Sequence, residues 1–188
     1  YAFGIWGAIF SAETAFVVWQ GLPANHGARV VADGVGPFFA AACVLQAVWS
    51  VAFAQELLSL SAVILVALAA SLFLAVRGLA PFKKSGASAV EYLLVHFPIG
   101  LHAGWVCAAA LVNVNLALVG AGVGTAGQVS AAIVSLLAAT GAAWTAAAVY
   151  NDTFFLLSVA WAFLAIAVNR DYQEKVLGDD VAQGFRNA

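Results

Sequence analysis

Apolar runs of roughly twenty residues, broken by short polar stretches, set the pattern of this chain. Each such run is the length that crosses a bilayer as a helix, about 20 residues. The first helix is expected over Tyr1 to Gln20, followed by a polar loop, Gly21 to Gly36, that carries Pro23, Asn25, His26, Arg29 and Asp33. Pro37 fits the first turn of a second helix that runs to Ala54, because a first-turn residue has no N–H to lose. Gln55 and Glu56 mark a tight turn before a third helix, Leu57 to Val76. Arg77 to Ser88, with Pro81, Lys83 and Lys84, is expected as the main polar loop. Glu91 opens a fourth helix near its positive dipole end, and Pro98 is expected to kink it on the way to Val119. Gly120 to Gly127 reads as a flexible turn, and Gln128 to Tyr150 as a fifth helix. Asn151, Asp152 and Thr153 form a polar turn with Asp152 or Thr153 as N-cap of a sixth helix, Phe154 to Val168.

Composition turns this pattern into a class. Of 188 residues, 64% are hydrophobic and only 9% charged, against about 25% charged in ordinary soluble domains. Too few polar residues are present to cover a surface in water, so the solvent for most of this surface is lipid. The expected fold is all-α, an integral membrane bundle of about six transmembrane helices. Residues 1–168 form one bundle, and 169–188 form a polar C-terminal tail at the membrane surface. The apolar runs are too long for the alternating strands, about ten residues each, of a membrane β-barrel. A net charge of −2 with no basic tract argues against nucleic acid as a partner. Seven basic residues, split four against three between the two sides, leave orientation undecided. The chain starts at Tyr1 and has no Met, so a processed or omitted N-terminal segment is expected. The expected location is an organellar membrane, with the plastid thylakoid as one candidate, or a bacterial inner membrane.

Lipid tails are as apolar as Leu, so helix association must come from close packing of small residues. Gly100, Gly104 and Ala108 line one face of the fourth helix at every fourth position, and Gly4 and Ala8 do the same on the first. Cys43 and Cys107 lie in apolar runs and read as buried small hydrophobes with no metal-ligand spacing. Trp19 sits near a helix end as an interfacial anchor. Trp6, Trp49, Trp105, Trp144 and Trp161 read either as filler and belt residues or as an aromatic wall for a flat ligand.

Ionisable groups at bilayer depth cost at least about 2.5 kcal/mol and need partners. Glu13, between Ser11 and Thr14, is the clearest case. It reads as a protonated or hydrogen-bonded carboxyl facing another helix, or as a proton carrier or an axial ligand to a pigment magnesium. His96 and His102 flank Pro98. Six residues turn a helix by about 600°, so the two do not share a face, and they do not form a metal pair by themselves. His102 and Asn113 lie nearly on one face. Either could ligate a chlorophyll or haem, or hydrogen-bond across the bundle. Asn115, Gln46 and Gln55 are further inter-helix ties. No nucleophile triad, phosphate loop or zinc motif is present, so an enzyme is not expected.

Three segments carry a resemblance. Phe3-Gly4-Ile5-Trp6-Gly7-Ala8-Ile9-Phe10, closing at Val18-Trp19-Gln20, resembles the F-x-I-W-G-x-I-Y helix of tryptophan-rich sensory proteins, the translocator protein or peripheral benzodiazepine receptor family. Leu45-Gln46-Ala47-Val48-Trp49 is similar to its L-N-x-x-W segment, and Phe97-Pro98 followed by Trp105, Ala109 and Asn113 to its proline–tryptophan–asparagine helix. The resemblance covers Phe3 to Leu118, and the last two helices resemble the longer branch of the family. It implies a helical membrane bundle that binds tetrapyrroles, sterols or other flat apolar ligands in a cavity near Trp6, Gln46, Trp49, Trp105 and Asn113. Three features depart from the family. The family's first helix and the loop that caps its cavity are expected to be absent, Gln46 stands for its Asn, and Glu13 occupies a position that the family keeps apolar. These departures also fit a second class: an accessory, pigment-contacting subunit of a large membrane complex, such as an algal photosystem with its antennae. Chlorophyll, carotenoid and other membrane subunits are its expected partners, with Glu13, His96 and His102 as candidate pigment sites. Porphyrin or haem is the cofactor expected of the first class.

Overall fold

The structure is a computed structural model and describes residues 2–168. The expected surface tail, 169–188, lies outside the described residues. After a short 3₁₀ turn at Ala2–Gly4, six helices follow: α1 (Ile5–Gly21), α2 (Val30–Ala54), α3 (Leu58–Lys84), α4 (Ala89–Gly120), α5 (Thr125–Ala148) and α6 (Thr153–Val168). Among the described residues there is no strand. The four helices from α2 to α5 are each long and apolar enough to span a membrane.

α3 and α4 form the centre, with α2 packed on α3, and with α1, α5 and α6 packed on α4. The buried core draws on both central helices, with Leu65, Leu68 and Leu72 of α3 and Ile99, Ala103 and Val106 of α4 among its members. The outer faces of α2 and α5 carry exposed Val, Leu and Ile along their length, as expected where lipid is the solvent.

The stripe of small residues on α4 does the packing expected of it. A Cβ on Gly104 would run into the Phe155 backbone and the Ser158 side chain of α6, and one on Gly100 into the Asp152 carboxylate. The stripe on α1 does not. Gly4 and Ala8 are exposed, and nothing approaches within 4 Å of where a Cβ on Gly4 would stand. Spacing alone cannot tell a packed face from a lipid face. A close approach that spacing did not mark joins α2 to α3, where a Cβ on Gly78 would meet the Gly34 carbonyl. Cys43 is exposed and Cys107 half-buried, both as free thiols.

The polar loop expected from Arg77 to Ser88 is mostly helix. α3 continues through Pro81 to Lys84, 27 residues in all, or about 40 Å at 1.5 Å per residue. That exceeds a hydrocarbon thickness of about 30 Å, so the basic residues ride on a helix end that projects past the apolar slab. Lys83 folds inward there. Its Nζ lies 2.5 Å from Asp152 Oδ2, with both side chains almost fully buried. Asp152 also caps α6, its Oδ1 accepting the Phe155 N–H at 2.9 Å.

Both helices that carry an early proline begin with a widened, π-helical turn. In α2 it spans Val30–Val35, ahead of Pro37, and Gly36 (φ +55°) donates its N–H to Val31 O. In α4 it spans Tyr92–His96, ahead of Pro98, and Phe97 donates to Tyr92 O. A proline cannot donate and its ring crowds the carbonyl four residues back. Shifting the preceding bond to five residues gives the ring room, which is how α4 absorbs the kink expected at Pro98. α4 starts earlier than expected because Ser88 and Glu91 form a reciprocal capping box.

Candidate functional site

α1, α2 and α4 bring together most of the residues that the sequence singled out. Trp6 is the hub. Its ring stacks on Trp49 of α2 at 6.4 Å between centroids, and stands edge-on to Trp105 at 6.2 Å and to His102 at 5.7 Å, both on α4. Trp6 therefore occupies the space between the other two indoles, where a cavity was expected. Phe10 stacks on Trp6 at 5.2 Å, Phe53 on Trp49 at 5.3 Å, and Phe3 stands against Trp105 at 6.1 Å. The two Trp-x-x-x-Phe pairs follow from helical geometry, since residues four apart lie on one face. That spacing is legible in the sequence.

Glu13 of α1 finds its partner across the bundle. Its Oε1 lies 2.6 Å from His102 Nδ1, and the two residues are 89 apart in sequence. Both are buried. The helical repeat puts Glu13 seven residues, about two turns, along α1 from Trp6 and on the same face.

Several buried polar atoms around this cluster have no hydrogen-bond partner. These are Gln46 Oε1, Trp49 Nε1, Trp105 Nε1 and His102 Nε2. Each such atom costs about 1–3 kcal/mol when left unpaired in a dry site. Polar atoms without partners are uncommon in folded proteins, and four of them lie on the residues of this one aromatic cluster and its neighbours.

Asn113 and His96 stand apart. Asn113 lies eight residues beyond Trp105, about 12 Å down α4. Its amide donates to Ser61 Oγ of α3 at 3.0 Å, so it ties the two central helices. His96 lies in the π-helical turn against Tyr92, with both ring nitrogens buried and unpartnered. Of the remaining tryptophans, Trp19 packs on the core, whereas Trp144 is 72% exposed. A shallow apolar groove lies elsewhere, between Ala62 and Val66 of α3 and Val114 and Leu118 of α4. Among the described residues no three His, Cys, Asp or Glu side chains are grouped to hold a metal ion.

A bundle of apolar helices with aromatic and ionisable side chains gathered inside it defines a multi-pass integral membrane protein. The family model for TSPO-like protein matches residues 1–181, and the chain belongs to that family. No curated protein and no solved structure matches it.

Proposed function

We propose that this protein binds a flat, mostly apolar molecule, of which a tetrapyrrole is the best fit, between α1, α2 and α4. The observation that carries this reading is the set of four unpartnered polar atoms around the Trp6–Trp49–Trp105 cluster. Indole faces stack on a flat ring, and the orphaned N–H groups and the Gln46 oxygen answer polar atoms on its rim. Trp6 is half-buried and rotates away to admit the ligand. The role is binding, with no bond made or broken in the ligand.

Titration of the purified protein in mild detergent with metal-free protoporphyrin tests this. Saturable quenching of tryptophan fluorescence is expected. Trp49→Phe with Trp105→Phe keeps the aromatic faces and removes two donors. At about 1 kcal/mol per hydrogen bond it should weaken binding at least about tenfold. Asn113→Leu should leave the affinity within about twofold, because Asn113 bonds to Ser61 and not to the cluster. Quenching that does not saturate, or that ignores the double substitution, would overturn the reading.

A further inference from the structure

The basic residues at the end of α3 do not all have counter-ions. The four described are Arg29, Arg77, Lys83 and Lys84. Two are occupied: Arg29 pairs with Asp33 at 3.1 Å, and Lys83 with Asp152. The acid that opens α4, Glu91, turns its carboxylate to the Ser88 N–H and hydroxyl, at 2.9 and 3.0 Å. Arg77 and Lys84 are exposed, and among the described residues neither side chain enters an ion pair. The charge beside the opposite end of α3 is an acid, Glu56.

The two free cations share one stripe of α3 with apolar residues. Val63, Ala67, Ala70, Leu74 and Arg77 follow at alternating intervals of four and three, and Lys84 stands seven residues on; all are exposed. Such spacing keeps residues on one face of a helix. Depth sorts them. About 20 residues cross the hydrocarbon, so a crossing that begins at Leu58 ends near Arg77. Lys84 lies about 10 Å further along the axis, at the outer edge of a headgroup layer about 5–7 Å thick. Both side chains have apolar stems long enough to carry their charges into that layer. Below them the stripe is a smooth apolar track.

We propose that this face of α3 binds an anionic diacyl phospholipid, with Arg77 and Lys84 meeting its phosphate and its chains lying along Leu74, Ala70 and Ala67. Charge complementarity selects this occupant. An anionic headgroup supplies the counter-charge that the described residues do not, and guanidinium binds phosphate oxygens in pairs. A second copy docked on the same stripe in the same membrane orientation would set Arg77 against Arg77 and Lys84 against Lys84, and like charges brought together oppose docking. A zwitterionic lipid brings its own cation to the same place. The surface is separate from the tryptophan cluster and does not depend on what binds there. It also favours one leaflet, since Glu56 at the other end repels the same headgroup.

The test places an indole on the track. The full chain carrying Leu74→Trp is reconstituted in phosphatidylcholine bilayers with a minor share of brominated phosphatidylglycerol or brominated phosphatidylcholine, and quenching of the added indole is read as the difference from the unsubstituted protein. At low salt the brominated phosphatidylglycerol should occupy the site about thirtyfold more readily, on the order of fivefold for each cation. Adding Arg77→Gln and Lys84→Gln should bring the ratio near one, whereas Arg77→Lys keeps the charge and should retain most of the preference. Salt near about 1 M shortens the screening length to about 3 Å and should remove most of the preference without any change at the two cations, so the outcome does not hang on the folding of the charge variants. Equal quenching by the two lipids, or a preference that survives the double charge substitution, would overturn the proposal. So would an indole that neither lipid reaches, because the face would then be covered by a second copy or another protein.

Discussion

At the scale of single residues, Asp152 carries two jobs that can be separated. It neutralises Lys83 in a buried pair and caps α6 through the Phe155 N–H. Removing one partner of a buried pair costs about 3–5 kcal/mol, because a charge is left unpaired. An N-cap lost to Ala costs about 1 kcal/mol more. Asp152→Asn keeps a capping oxygen and loses only the charge. Thermal unfolding in detergent should therefore rank wild type above Asp152→Asn, and Asp152→Asn above Asp152→Ala. Equal melting of the two variants would deny the cap, and wild-type melting of Asp152→Asn would deny the pair. Part of this was legible: a polar residue after Tyr150-Asn151 reads as an N-cap. The ion pair was not, because its partner stands 69 residues earlier in what read as a loop. Glu13 poses the same problem. Its depth in an apolar helix announces a need for a partner, but nothing local names His102.

At the scale of elements, the glycines distinguish buried faces from lipid faces. Gly104 touches the α6 backbone, and Gly7 has open space around it. Gly104→Ala should separate α4 from α6 and destabilise by about 1–3 kcal/mol, as overpacking does. Gly7→Ala should stabilise α1 by up to about 1 kcal/mol through helix propensity alone. Opposite signs in the denaturation midpoints would bear out the packing; a harmless Gly104→Ala would refute it. The number and order of helices were legible because each apolar run matches a bilayer crossing. Helix ends were less so. Arg77, Pro81 and Lys84 are loop-forming residues by composition, yet α3 carries them because its apolar face is still buried at Leu79 and Ala80. Pro98 announced a distortion, but the π-helical turn that absorbs it depends on where the Phe97 N–H finds a carbonyl, and sequence does not encode that locally.

At the scale of the whole molecule, the outer belt should be lipid-facing. Trp144 is 72% exposed on α5, whereas Trp105 is buried at 6%. In bilayers containing brominated lipid, Trp144→Phe should remove a large part of the lipid-dependent quenching, and Trp105→Phe should remove little. The reverse result would mean that α5 is covered by another protein surface. The sequence grouped Trp6, Trp49 and Trp105 only through the family resemblance, and three helices do bring them together. That Asn113 bonds across the bundle was one of its two readings, but nothing local names its partner Ser61, 52 residues earlier.

The Lys83–Asp152 pair also has a consequence for how the chain is made. α3 leaves the ribosome well before α6, and Lys83 precedes its counter-ion by 69 positions. While α4 and α5 are being delivered, the end of α3 presents a lone ammonium that must stay hydrated at the membrane edge. Only the arrival of the last helix lets that charge turn inward. The pair thus works as a latch that closes once the bundle is complete, and a nascent chain halted before Asp152 exposes an open one.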